Sequence, residues 1–440
     1  MPMKVLRISY LLAIMAILFS ACKSGPFNLL KPSSPHAQYE RKLLNAGLDK
    51  STMGGGWITK ANTLLQTAAI INAPYKETGY FAADKIDGAS FRFKLQRGQL
   101  LTAKLTKQSI HDFSIYMDVW EQKENAEFKV LAFADSLGSD LQLEAKNSGD
   151  YILRLQPELL ASGSYTLELS IGPSLNFPLK AANRKLIQSF YGVGRDNNTR
   201  QHEGIDIFSP RRTPVIAVAD GTVTGVNQNN LGGNVVWFRP KGKDYTLYYA
   251  HLDEQTVTQG QEVLLGDTLG LMGNTGNAKT TAPHLHFGIY TSNGAVDPLP
   301  FVDPLILPVP KISSDVDKLN ATMRTTAKEL TLSGTQPMSN TGTLKQHTVV
   351  RVLAASSNYY KIELPNGGSG YVPSKLLTEV KPIKTRKITS AKTSLLDAPN
   401  LAAGVKVALS PGQTVSVMGS FEDFELISTS DNIVGWVMKN

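Results

Sequence analysis

The chain has 440 residues, enough for two to four domains of ordinary size. Hydrophobic residues make up 42% and charged residues 19% of it, which excludes a disordered chain and a collagen-like one. The 45 Lys and Arg exceed the 37 Asp and Glu, and the formal net charge of +8 favours anionic surroundings. The sequence has no long basic run and no basic stretch studded with aromatic residues, so we expect no nucleic-acid partner.

Residues 1–22 have a charged start, an apolar run from Ile8 to Leu18, and small residues before Cys22. An export signal has this three-part layout, and the apolar run is shorter than the ~20 residues of a membrane-spanning helix. The junction resembles the lipobox of bacterial lipoproteins. That resemblance implies a lipid on Cys22 and a membrane anchor on the periplasmic or cell-surface side, with ordinary secretion as the alternative. Because Cys22 is the only cysteine, the chain forms no internal disulfide.

The next segments change in periodicity along the chain. Residues 23–36 are rich in Pro and Ser and predict a tether. Residues 37–75 predict two short helices, because apolar residues recur at helical spacing on both sides of the glycine run 54–56. Residues 76–175 alternate with a period of two between Gly and Ser turns, which predicts a β-sandwich.

The tail contains an internal repeat. After a linker at 304–320, a gap-free shift of 65 residues aligns residues 330–372 with 395–437, and both aligned segments end in Gly-aromatic-Val. This indicates one repeat at 321–380 and a second at 381–440. Each copy resembles a bacterial Src-homology-3-like module, which implies two small C-terminal β-barrels. Such modules are often attached to wall-degrading enzymes, and a spacer role is the alternative. The chain is therefore predicted to be multidomain and mainly β.

Candidate catalytic residues cluster between the sandwich and the tail. Four of the seven histidines lie within 85 residues, and Asp206 follows the first of them by four positions. Imidazole nitrogens and a carboxylate oxygen suit zinc, and three such ligands leave a fourth position open for water. Gly204 and the β-branched residues around Asp206 favour a strand, on which positions i and i+4 share a face. In a His-Leu-His motif the two histidines are two positions apart on a strand, so both imidazoles lie on one face. The four histidines are His202, His251, His284 and His286.

Further motifs accompany these residues in a fixed order. They are Tyr249-Ala250-His251-Leu252, Gly273-Asn274-Thr275-Gly276 and Asp297-Pro298. Together with the histidines they resemble the lysostaphin and LytM type of zinc metallopeptidase, over roughly residues 187–302. The resemblance implies an antiparallel β peptidase domain at 177–303 that binds one Zn²⁺ per chain.

The resemblance also assigns roles to the five candidate residues. It implies that His202, Asp206 and His286 are the zinc ligands and that His251 and His284 are the catalytic imidazoles. One of these two would act as general base, and the other would stabilise the oxyanion or protonate the leaving amine. The sequence leaves that division of roles open.

The export signal, the repeated tail and the resemblance together predict a function. We expect a cell-envelope zinc metalloendopeptidase that hydrolyses peptide cross-links of peptidoglycan by zinc-activated water. One alternative is a wall-binding or regulatory lipoprotein that docks on another wall hydrolase or activates it. Another is a peptidase with the same chemistry that acts on proteins or small peptides.

Overall fold

The computed structural model describes residues 33–108, 113–123, 126–134, 140–195, 197–334, 340–390 and 393–439. Within these ranges the chain is mainly β, as predicted. The predicted signal segment with Cys22, and the predicted tether up to residue 32, lie outside the described residues. Among the described helices, none is long and apolar enough to cross a bilayer. The α-helices are α1 Pro35–Asn45, α2 Thr52–Gln66 and α3 Leu299–Val302.

The first two helices differ from the prediction in where they are separated. The prediction that glycines 54–56 divide them is wrong, because those glycines lie inside α2. The Ser51 hydroxyl accepts a hydrogen bond from the Gly54 amide and starts α2 ahead of the glycines. A Cβ on Gly54 would lie 2.1 Å from the Leu48 carbonyl oxygen, so the glycine permits a close approach of backbone. Helix α1 also begins at Pro35, inside the predicted tether.

Both helices pack on the strands that follow them. Trp57 of α2 is buried, and its indole nitrogen donates to the Pro157 carbonyl at 2.8 Å. His36 of α1 stacks on Trp57 with ring centres 4.5 Å apart and forms a 2.8 Å hydrogen bond with the Gln156 side chain. Burial lowers the pKa of His36 to about 4. These contacts fix the helices against the sheet.

The strands after the helices, in the segment predicted to be a sandwich, form two sheets. One sheet has the order β1-β3-β8-β5-β6, and the other contains the run β2-β9-β4-β7. Alternate side chains of both sheets pack into a common core that includes Phe91, Leu153 and Leu167. The strands are β1 Ala69–Ile70, β2 Tyr75–Phe81, β3 Ala89–Leu95, β4 Gln99–Gln108, β5 Ile115–Gln122, β6 Phe128–Phe133, β7 Leu141–Glu144, β8 Gly149–Pro157 and β9 Gly163–Pro173.

The central segment forms a separate antiparallel sheet with the order β10-β13-β20-β17-β16-β15-β18. Its core contains Ile205, Phe238, Tyr249, Leu285 and Phe287, all fully buried. The strands are β10 Ile187–Ser189, β11 Gly194–Arg195, β12 Arg200–Gln201, β13 Ile205–Phe208, β14 Pro214–Ile216, β15 Gly221–Asn229, β16 Gly233–Pro240, β17 Thr246–Gln255, β18 Glu262–Val263, β19 Thr268–Met272, β20 His284–Thr291 and β21 Gly294–Val296.

The tail repeats its strands with the spacing seen in the sequence. Strands β25, β26 and β27 recur 65 residues later as β32, β33 and β34. The strands are β22 Thr322–Thr325, β23 Glu329–Ser333, β24 Asn340–Lys345, β25 Val349–Ser356, β26 Tyr359–Glu363, β27 Ser369–Pro373, β28 Leu377–Glu379, β29 Lys384–Lys387, β30 Thr393–Leu396, β31 Val405–Leu409, β32 Thr414–Phe421, β33 Phe424–Ser428 and β34 Val434–Met438.

The first tail copy is joined to the sandwich, which the sequence analysis did not anticipate. Strand β2 pairs with β25, so one sheet continues from the sandwich into the tail. Glu77 is fully buried at this junction and accepts hydrogen bonds from the hydroxyls of Tyr75 and Tyr165, each at 2.7 Å. The buried Tyr371 of the tail lies in the same cluster; its pKa is raised by burial and then by the charge of Glu77.

Candidate functional site

The central sheet carries a groove of about 870 Å³ on one face. All five residues singled out in the sequence line it. Within the described part of the chain, the residues that line the groove run from Gln188 to Tyr290, so neither the sandwich nor the tail contributes to its walls. The groove is therefore built by the central domain.

Three of the five side chains point their ligand atoms at one another. His202 Nε2 lies 3.0 Å from Asp206 Oδ1 and 2.9 Å from His286 Nδ1, and the last two atoms are 3.0 Å apart. A tetrahedral zinc with bonds of about 2.0–2.1 Å holds its ligand atoms about 3.3 Å apart. Two imidazole nitrogens and one carboxylate oxygen in this triangle therefore fit a zinc ion, and they could hold a metal.

The pairing of two strands explains how this triangle forms. Asp206 of β13 lies directly opposite His286 of β20, so their side chains share one face of the sheet. His202 was predicted to continue the strand of Asp206, and that prediction is wrong. It lies between β12 and β13, where the chain bends at Gly204. A Cβ on Gly204 would lie 2.7 Å from the His286 ring, so the glycine makes room for that imidazole.

Neighbouring groups orient the three side chains. His202 Nδ1 donates to the Phe190 carbonyl at 2.9 Å, which leaves Nε2 to face the site. The Arg195 guanidinium donates to Asp206 Oδ2 at 2.7 Å, so Oδ1 is the oxygen turned towards the histidines. Burial disfavours the Asp206 carboxylate, but its contacts with the His202 and His286 imidazoles outweigh burial and hold its pKa well below the usual range. Asp206 is thus ionised, as a ligand must be.

His251 reaches the groove from a bulge in β17. Its backbone has a φ of +64°, an unusual value for a residue with a side chain. The His251 amide donates to the Gly232 carbonyl at 2.7 Å, and its Nδ1 donates to the Thr275 carbonyl at 2.8 Å. Thr275 is itself fixed, because its hydroxyl accepts from the Asn234 amide at 3.0 Å and donates to the Leu252 carbonyl at 2.8 Å. The fixed Nδ1 leaves Nε2 of His251 free for chemistry.

His284 is held in the same way and lies beside His251. Its Nδ1 donates to the Ala282 carbonyl at 2.8 Å, and its ring stacks on Phe208. The rings of His251 and His284 are 4.9 Å apart, and His251 lies 5.9 Å from His286. Burial, followed by the charges of His284 and His286, lowers the pKa of His251 to about 4. The lowered pKa favours the neutral imidazole of His251 over its protonated form.

Sequence analysis missed several residues of this site. Arg195, which orients Asp206, gave no signal because its partner lies eleven residues away across a turn. Asn234, which also donates to the Leu252 and Asp253 carbonyls, was missed for the same reason. Trp237 did give a signal, since it stands between the buried Val236 and Phe238 on a strand and must face the other side of the sheet.

Comparison with known proteins finds a family match in the central domain. Residues 200–298 match the model of peptidase family M23, so the chain carries a domain of this family. An uncharacterized metalloprotease of Haemophilus influenzae is 43% identical over 101 residues, 23% of this chain and 21% of that protein. The peptidoglycan DD-endopeptidase ShyC of Vibrio cholerae is 38% identical over 88 residues, 20% of each chain.

Solved structures are similar to part of the chain. The catalytic domain of the antimicrobial peptidase lysostaphin from Staphylococcus simulans is 32% identical, with a TM-score of 0.23, and the match covers 26% of this chain and 87% of that one. The chain spans only about a fifth of the length of the two curated relatives named above. The family match, at residues 200–298, lies in the central domain.

Proposed function

We propose that the protein is a zinc metalloendopeptidase of the cell envelope that hydrolyses peptide cross-links of peptidoglycan. The observation that carries this proposal is the triangle of His202, Asp206 and His286 with the paired imidazoles of His251 and His284 beside it. The name of the similar Vibrio cholerae protein, a peptidoglycan DD-endopeptidase, supports the choice of substrate.

The five side chains divide into two groups by what they can do. His202, Asp206 and His286 would hold the zinc, which supplies Lewis-acid polarisation of the scissile carbonyl and of a water molecule. His251 and His284 each present Nε2 to the groove, because their Nδ1 atoms are engaged with backbone carbonyls. We infer that one of the two takes the proton from the attacking water, and that the other donates a hydrogen bond to the oxyanion or a proton to the leaving amine.

Metal analysis of single variants tests this assignment. His286→Ala should weaken zinc binding by more than about 100-fold, because it removes a ligand rather than a group behind one. His284→Ala should keep about one zinc per chain and lose activity. His347→Asn is the control: it replaces a histidine of the tail, outside the groove, with a residue that tolerates the positive φ of that position, and it should keep both zinc and activity. Equal loss of zinc in both groove variants would contradict the assignment.

Digestion of sacculi tests the substrate. The purified protein should release cross-linked fragments cut in their peptides, identified by mass, and a chelator should stop the release until zinc is restored. Release of fragments cut in the glycan instead would contradict the proposal. If zinc binds but sacculi and peptides both stay intact, the protein is the wall-binding or regulatory lipoprotein that is the second candidate.

We also propose that the protein is anchored in the envelope by a lipid on Cys22. The support is the sequence of residues 1–22, with its short apolar run and single cysteine. Labelled fatty acid should enter the wild-type protein and not Cys22→Ser. A mature N-terminus at any other residue would mean that the protein is secreted without an anchor.

A further inference from the structure

A set of aromatic side chains lies in the groove next to the metal ligands. Trp237, Tyr248 and Tyr290, on the adjacent strands β16, β17 and β20, form what we call the aromatic wall. The Trp237 ring centre lies 4.4 Å from that of Tyr248 and 5.5 Å from that of Tyr290. The wall is on the same face of the sheet as Asp206 and His286, so a substrate bound at those residues passes close to it.

Two rings of the aromatic wall, Trp237 and Tyr290, are partly open to the groove, whereas Tyr248 is buried in a small cluster with Val235 and Ala250 against which they pack. Val236 and Phe238, the neighbours of Trp237 along β16, are fully buried on the opposite face, whereas Trp237 itself is only half-buried. Tyr290 is half-buried as well, and both residues line the groove. Tyr249, which faces the main core, is by contrast fully buried. The wall therefore offers apolar surface to a ligand.

Hydrogen bonds hold the edges of the rings and leave their faces available. The Tyr248 hydroxyl accepts from the Asn229 side chain at 3.2 Å, and the Tyr290 hydroxyl donates to the Glu203 carboxylate at 3.2 Å. Glu203, which the sequence gave no role, thus orients one ring of the wall. Aromatic faces held in this way are suited to flat amide groups and small alkyl groups.

Spacing indicates which part of a substrate meets the wall. The Tyr248 ring centre is 6.0 Å from that of His286, and Trp237 is a further 4.4 Å away. An extended peptide advances about 3.3 Å per residue, so the wall faces the second and third residues from a bond held at the metal ligands. In peptidoglycan the sugars join the peptide at its far end, several residues from the cross-link, which is beyond this reach.

We propose that the aromatic wall is a subsite for the peptide arm of the substrate, and that it binds the flat peptide units and small alkyl side chains two to three residues from the cut bond. This inference rests on the proposed endopeptidase function. It makes Trp237 a determinant of substrate affinity rather than of the chemical step.

Kinetics on two substrates test the subsite. Trp237→Ala should raise KM about tenfold for a cross-linked peptide dimer without sugars, with kcat within about twofold and one zinc per chain. Trp237→Phe keeps a ring and should recover most of the affinity. An unchanged KM on this dimer, with a raised KM only on the dimer that carries its disaccharides, would assign the wall to the glycan and overturn the proposal. An unchanged KM on both dimers would overturn it as well.

A binding measurement covers the case in which Trp237→Ala does not fold. In His284→Ala, the sugar-free dimer should produce a saturable change in tryptophan fluorescence that is absent from His284→Ala/Trp237→Phe. No change at concentrations that saturate binding by calorimetry would refute the subsite. A wild-type enzyme that binds zinc yet cuts neither dimer would refute the proposed function, whereas an active wild type with an insensitive Trp237→Ala would refute the subsite alone.

Discussion

Thr275 holds the His251 imidazole in its position in the groove, and the variant Thr275→Val tests this positioning role. The variant keeps the size of the side chain but removes the hydroxyl that joins Asn234 and Leu252. Two hydrogen bonds of about 1 kcal/mol each are lost, and the freed backbone groups add to the cost, so we expect the domain to lose about 2–4 kcal/mol of stability. The positive φ of +64° at His251 costs about 1 kcal/mol or more, and the residue keeps it only while its surroundings hold it there. Loss of the Thr275 hydrogen bonds therefore favours a shift of the His251 backbone.

The effect on activity should be larger than the effect on stability. A displacement of His251 by about 1 Å is expected to lower kcat about 100-fold. KM and zinc content should stay close to wild type, because His202, Asp206 and His286 do not contact Thr275 through any of the hydrogen bonds described above. Thr275→Ser keeps the hydroxyl and should retain most of the activity. Full activity in Thr275→Val would refute the reasoning, and loss of zinc together with activity would show that the loop supports the metal ligands instead.

The remaining predictions concern the domains around the groove. His36 has a pKa of about 4 in the folded protein and 6.5 when exposed, so between these pH values the unfolded chain binds one more proton than the folded chain. The free energy of unfolding should therefore fall by about 3 kcal/mol as the pH is lowered from 6.5 to 4. Urea unfolding followed by tryptophan fluorescence should show this slope in the wild type and a smaller one in His36→Phe; equal slopes would contradict the assignment. Glu77→Leu leaves two buried tyrosine hydroxyls without an acceptor and should lower the midpoint of thermal unfolding more than Glu77→Gln does. Deletion of residues 320–440 exposes the same junction, so calorimetry should show a destabilised sandwich. Cleavage of a short cross-linked peptide should stay nearly unchanged, because the groove lies within the central domain.

The sequence was sufficient for features that depend on local pattern. Alternation of apolar residues predicted the β architecture, and it placed His284 and His286 on one face because neighbouring side chains of a strand point to opposite sides. The 65-residue repeat of the tail was readable because repeated folding units repeat their strand pattern. The motif order identified the five groove residues, since each motif is short and contiguous.

Tertiary structure decided what depends on contacts between distant segments. Three contacts of the site join residues from different strands or loops. They are the approach of His202 to Asp206, the hydrogen bond from Arg195 that turns Asp206 Oδ1 inwards, and the hydrogen bond from His251 to the Thr275 carbonyl. The glycines of α2 were misread as a break, because the close approach that requires them involves Leu48 and Ile86, which local pattern does not reveal. The sheet that runs from β2 into β25 joins segments about 280 residues apart, and pairing across such a distance is set by packing and hydrogen bonding rather than by local pattern.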